Sequence, residues 1–197
     1  MTPPKSKFTK EKILNTAFVI LQKKGWSHVS ARTIAKELNA STMPIYSSVE
    51  SMEEVEKELW TRAFESLQKC QLEKYTDNPF LNSALGYIFF ARDLPNLFKF
   101  LFFERPEKIA AGELHKLRKR LPKELHDLSI VFFRKISPQK LDRVTLQSWI
   151  FTHGLAVLIY SGALTKLTSE DIITMLEDAG GAFFAWEKHK HKKNSKK

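Results

Sequence analysis

The stretch from Ser30 to Ser48 constrains this chain more tightly than any other. Ser30 is placed to cap a helix, because its hydroxyl accepts from a backbone N–H that a first turn leaves without a partner. Ile34, Ala35 and Leu38 then fall at i, i+1 and i+4, one apolar face of a short helix. Asn39 stands where that helix must stop, and asparagine tolerates left-handed backbone better than other non-glycine residues. Ser41 is positioned to cap a second short helix, with Pro44 in its first turn, where a missing N–H is harmless. Two short helices across a tight turn, the second fronted by small polar residues, describe a helix-turn-helix. The helix starting at Ser41 is the one expected to enter a major groove.

A third helix precedes this motif. Thr9 can cap it, Gly25 ends it after about Lys24, and Ile13, Leu14, Ala17, Phe18 and Leu21 form its apolar stripe. Trp26 lies where it could fill the space beneath the two helices of the motif. Three helices in fewer than fifty residues make a thin core, which must lean on the rest of the chain. Ser51 and Glu54 have capping-box spacing and open a long helix to about Tyr75, with Val55, Leu59, Ala63, Leu67 and Cys70 along one face. Beyond it the chain is punctuated at Asn78-Pro79, Asp93-Leu94-Pro95, Arg105-Pro106, Leu121-Pro122 and Ser137-Pro138. Every segment between these marks reads as helix, and no strand alternation is convincing. The fold expected is all-α, with about nine or ten helices. Its organisation is a three-helix head at 1–50, a helical regulatory and dimerisation region at 51–187 with 51–76 as the connecting helix, and a basic tail at 188–197. The tail has no apolar residue to fold it and is expected to be disordered.

Charge sharpens this division. Of a formal +10 over 197 residues, residues 1–49 carry eight Lys/Arg against two Asp/Glu, and residues 187–197 carry six against one. The middle is therefore near neutral, and the basic ends suit a polyanionic partner. A basic tail is equally a solvated one. One cysteine, Cys70, forbids an internal disulfide and reads as a packed or surface thiol in a reducing compartment. The N-terminus has no apolar run of signal-peptide length, and no apolar run is long enough to span a bilayer, so the protein is expected in the cytoplasm. No glycine-rich phosphate loop, metal-ligand spacing or nucleophile–base pair stands out, which argues against an enzyme. His189 and His191 lack a third ligand, and no cofactor or metal is expected.

Two features of the later chain bear on partners. The middle is rich in aromatic residues, including Trp60, Phe64, Phe89, Phe90, four phenylalanines between Phe98 and Phe103, Phe132, Phe133, Trp149 and Phe151. Such a set reads as core or as the wall of a cavity. The helices expected at about 138–163 and 169–187 carry Gly154, Gly162, Gly180 and Gly181, and the second has Ile172, Met175, Leu176, Ala179 and Phe183 on one face. Glycine inside a helix costs about 1 kcal/mol against alanine, so another backbone is expected to approach closely. That backbone belongs either to a second copy, in a four-helix interface, or to the same chain.

From Thr9 to Val55 the chain resembles the tetracycline-repressor (TetR/AcrR) family of bacterial transcriptional regulators. The residues that carry the resemblance are Ile13, Ala17-Phe18, Gly25, Ser30, Ile34-Ala35, Ser41, Tyr46 and the acidic start of the next helix. Trp149-Ile150-Phe151-Thr152-His153-Gly154 is similar to the Trp-x-x-x-His-Gly signature of one branch of that family. The resemblance implies a homodimer on double-stranded DNA. Thr42, Met43, Pro44 and Ser47 would face base edges or sugars, Tyr46 a phosphate, and Arg32, Thr33 and Lys36 the backbone or groove edge, with Ser41 at the start of the recognition helix counted among the DNA-binding residues. Three departures stand out: Asn39 replaces a glycine, Val49 a phenylalanine, and Met52 a phosphate-contacting lysine, whose loss Lys5 and Lys7 would partly offset. Met43 and Pro44 suit a thymine methyl better than a hydrogen-bonding base edge, so phosphate contacts should dominate affinity. The resemblance further implies a repressor released from a palindromic operator by an unknown small molecule. Its cavity is expected to involve Trp60, Phe64, Phe98, Phe102, Trp149 and His153. The alternative is a regulator whose C-terminal half docks a protein instead.

Overall fold

The caps written into the sequence set most element boundaries. In the computed structural model, which describes residues 8–104 and 137–194, with side chains to residue 187, every regular element is helical. Helix α1 spans Lys10–Lys24; the Thr9 hydroxyl accepts from the Lys12 N–H, and Gly25 closes the helix at φ 82°. A 3-10 turn at Trp26–His28 leads to α2, Ala31–Glu37, where Ser30 Oγ accepts from the Thr33 N–H at 3.1 Å. Helix α3, Met43–Tyr46, is a single turn. Its N-cap is Thr42 rather than the expected Ser41, and no side chain bonds the cap; Pro44 already removes one of the donors a cap would satisfy.

Helix α4 spans Met52–Leu72. Ser51 Oγ accepts from the Glu54 N–H at 3.2 Å, as the capping box requires, but the Glu54 carboxylate reaches one residue further back and accepts from the Glu50 N–H at 2.7 Å. The helix stops three residues short of the expected Tyr75. The Asn82 amide supplies the reason: its oxygen accepts from the Thr76 N–H at 2.7 Å and the Thr76 hydroxyl at 2.8 Å, and its nitrogen donates to the Thr76 carbonyl at 2.9 Å. These bonds give the backbone after Leu72 an alternative to helix. Asn78 then caps α5, Pro79–Asp93, with its side-chain oxygen accepting from the Phe80 and Leu81 N–H groups. Helix α6, Pro95–Lys99, runs on into a π-helical turn at Phe100–Glu104.

Among the described residues there are eight α-helices; the last two are α7, Pro138–Tyr160, and α8, Ser169–Asn194. Gly162, expected inside α7, instead ends it in left-handed conformation at φ 75°, its N–H bonded to the Ile159 carbonyl. Helix α8 extends beyond 187 to Asn194, into the stretch expected to be disordered. Lysine is a good helix former, and positive charge favours the C-terminal end of a helix already nucleated upstream. The remainder of the tail, Phe132, Phe133 and the punctuation at 105–106 and 121–122 lie outside the described residues.

The chain forms two units, crossing from one to the other within α4 and again between Asp93 and Leu94. The described part of the first is residues 8–66 and 94–104. It holds the segment expected as the head together with most of α4 and all of α6. Its core includes Ile13, Leu21, Ile34, Ile45, Val49 and Leu59. Helix α6 supplies the extra support the thin head needs: Asn96 Nδ2 donates to the Gln22 carbonyl at 2.8 Å, and Phe100 packs on Trp26 with ring centroids 5.1 Å apart. Trp26 is half-buried, and the ring against it comes from Phe100, far along the sequence. The described part of the second unit is residues 67–93 and 137–194, in which α5 packs against both α7 and α8.

Candidate functional site

Two places combine chemistry with access, one in each unit. In the first, Asn39 adopts φ 52° and reverses the chain between α2 and α3, as its amide side chain allows. Ile45 is fully buried and anchors α3 to the core, while Met43 and Tyr46 on the same turn are 78% and 60% exposed. Ser41, Thr42 and Ser47 are exposed beside them, and Pro44 is half-buried. The Ser47 hydroxyl donates back to the Pro44 carbonyl at 3.1 Å. On α2, Arg32 and Lys36 are exposed, and neither has an ion-pair partner among the described residues. Thr33 is half-buried, and its hydroxyl is 2.9 Å from the Ser30 hydroxyl, within the cap. Other lysines nearby are committed elsewhere: Lys24 to Glu37 at 2.9 Å, and Lys10 to Glu54. Lys10, and then the Glu50 N–H, hold the Glu54 carboxyl below its ordinary range. Lys5 and Lys7 lie outside the described residues.

In the second unit a cavity of about 350 Å³ opens among α5, α7, α8 and the end of α4. Its wall includes Phe80, Tyr87, Trp149, Phe151, Phe183 and Phe184, with Gln71, Ser83, Thr145, Ser148 and Thr152 as neutral polar groups. A directional network stands at one side. Trp149 and His153, one turn apart on α7, stack with centroids 5.2 Å apart and planes within 13°. Tyr87 reaches across from α5, its hydroxyl 2.8 Å from His153 Nδ1. Burial raises the Tyr87 phenol well above its ordinary range, opposed in part by a hydrogen bond from Trp149. Burial also lowers the His153 pKa, keeping the imidazole neutral. With the indole N–H directed at the phenol oxygen, the Tyr87 proton goes to Nδ1, and we assign His153 the tautomer protonated at Nε2. The Trp-x-x-x-His spacing is thus a stacking register that orients an acceptor for a buried tyrosine.

Of the six residues expected around a ligand, the structure brings two together here: Trp149 lines the cavity and His153 stands behind it through Tyr87. The other four belong to the first unit. Trp60 and Phe64 stack on α4 at 5.3 Å, and Phe98 is fully buried 4.9 Å from Phe102 in the core around α6. Sequence reasoning missed Tyr87, Ser83 and Gln71. Tyr87 sits inside an unbroken apolar run on α5, and only its polar tip distinguished it from core. The helical glycines fall into two kinds. Side chains added at Gly154, Gly180 or Gly181 would meet nothing within 4 Å among the described residues, so packing against those residues does not account for them. Gly180 and Gly181 edge the cavity. Gly86 is the opposite case: a Cβ there would lie 2.0 Å from the Cys70 carbonyl oxygen. Cys70 itself is half-buried, and burial raises its thiol pKa.

Neither the models of known protein families nor the curated proteins give a match to this chain. Among the described residues, no cluster of three or more His, Cys, Asp or Glu could hold a metal ion, and no helix is long and apolar enough to cross a membrane.

Proposed function

We propose that this protein is a DNA-binding transcriptional regulator, a homodimer whose hold on a palindromic operator is released by a small molecule. The observation that carries the reading is the open face of α2 and α3. One buried isoleucine, Ile45, anchors a turn that leaves Thr42, Met43, Tyr46 and Ser47 in solvent, beside Arg32 and Lys36 with no acidic partner among the described residues. An exposed methionine and tyrosine on one turn are poorly explained by the stability of the head. They suit insertion against base edges and a phosphate. The resemblance to the tetracycline-repressor family is independent support from residue spacing.

Two copies are favoured by α7 and α8. Ile150, Leu158 and Trp186 are 56%, 46% and 63% exposed, and Gly154 lies open between the first two on the same helix. A second copy packed there would hide the apolar side chains and use the space at the glycine. The cavity supports a small-molecule effector over a docked protein, and Gln71 connects it to α4, the helix both units share. A bound molecule acts only through its different affinity for the DNA-competent and released forms.

The test is selection of duplexes from a random pool by the purified full chain, followed by anisotropy titrations at several salt concentrations. A palindromic site is expected, with affinity falling by about a thousandfold between 50 and 200 mM salt. Alanine at Arg32 or Lys36 should weaken binding across sequences and flatten that slope, whereas alanine at Thr42 or Ser47 should relax base preference. No retained duplex at low salt, or binding indifferent to salt and to these substitutions, would overturn the proposal.

A further inference from the structure

The walls of the second-unit cavity carry a charge signature. Among the described residues that form it, six are aromatic, one is a carboxylate, and none is lysine or arginine. The carboxylate is Glu177 on α8, exposed and without an ion-pair partner among the described residues. The arginine of α7 does not answer it: Arg143 is held by both Glu187 carboxylate oxygens, at 2.9 and 2.8 Å. His153 adds no positive charge either, since burial favours its neutral form.

A ligand entering this space meets ring faces, hydroxyls, amides and one carboxylate. An anion would lose water and find no opposite charge among the described residues to replace it. A neutral aromatic molecule would fill the volume but leave Glu177 partly desolvated and unpaired. A cation gains on both counts, from the negative faces of Trp149, Tyr87 and the phenylalanines and from the carboxylate. The volume, about 350 Å³, suits a compound of two or three fused rings. From this we infer that the cavity is a binding site for aromatic organic cations, with the charge directed to Glu177 and the rings against the Trp149 side. That such a cation is also the effector rests on the function proposed above; the binding itself requires no DNA.

Calorimetry on the full chain at about pH 8 tests this with three bicyclic probes: 1-methylquinolinium, neutral quinoline and anionic 2-naphthoate. The cation should bind about tenfold more tightly than quinoline, and naphthoate should give no saturable heat. Glu177→Gln should close most of the gap between cation and neutral compound. Ala84→Trp, placed in the wall to fill the cavity, should abolish binding of both, with circular dichroism confirming that each variant is folded. Naphthoate or quinoline binding as tightly as the cation would overturn the inference. So would absence of cation binding, or cation binding that both variants leave intact. A cation that binds as expected but leaves operator affinity unchanged would remove the effector role and keep the site. Salt-sensitive operator binding with no cation binding would remove the site and leave the proposed DNA-binding function standing.

Discussion

Glycines 86 and 154 occupy the interiors of α5 and α7 and have opposite reasons for being glycine. At 86 the α4 backbone is so near that a methyl group would overlap the Cys70 carbonyl, and neither backbone can yield cheaply. Gly86→Ala should destabilise the chain by about 3 kcal/mol, read as a lower urea midpoint at unchanged slope. At 154 no described residue lies within 4 Å of the added carbon, so Gly154→Ala should raise helix stability by about 1 kcal/mol while weakening self-association if a second copy packs there. An equal loss of stability from both substitutions would contradict this account. His153 gives a prediction in pH. Burial lowers its pKa in the folded chain from the ordinary value of 6.5, which the unfolded chain keeps. Between the two values the unfolded chain binds more protons. This contribution is thus complete above the unfolded value, declines as pH falls through it, and levels off below the folded value. Thermal melts from about pH 8 to 5 should show the decline, and His153→Gln should reduce it.

Among the elements, what was legible from sequence was local. Thr9, Ser30, Ser51 and Asn78 were readable as starts, and Gly25 and Asn39 as stops, because a cap depends on residues three or four apart. The misses were set by distant partners. The end of α4 depends on Asn82 in the next helix, the role of Trp26 on Phe100, and the stacking of Trp149 on His153 matters because Tyr87 comes from α5. The exposed turn between α2 and α3 needed only local turn chemistry, so its geometry could be read. The cavity needed four helices assembled, and four of its six expected residues fell in the other unit. Asn82→Ala should therefore be more harmful than an ordinary cap mutation. Ser30→Ala should cost about 1 kcal/mol, and Asn82→Ala about twice that, since it strips several partners from a half-buried loop. Chemical denaturation of the two variants compares them directly.

For the molecule as a whole, the proposed dimer makes the simplest prediction. Glutamate at both Ile150 and Leu158 places charge in the centre of the exposed α7 face. Light scattering should then give half the wild-type mass, and duplex binding should weaken far more than either head's own contacts explain, because two linked sites bind by avidity. A wild-type chain that is already monomeric at micromolar concentration would refute the arrangement.

The continuity of α4 has a mechanical consequence. Its 21 residues contain neither proline nor glycine, so nothing within it is suited to bend. At 1.5 Å per residue it is a rod of roughly 30 Å, and a tilt of about 10° pivoting at one end sweeps the other through about 5 Å. Crowding near Gln71 would then not be absorbed where it arises. On the function proposed above, it would be carried along the helix toward Ser51 at its other end.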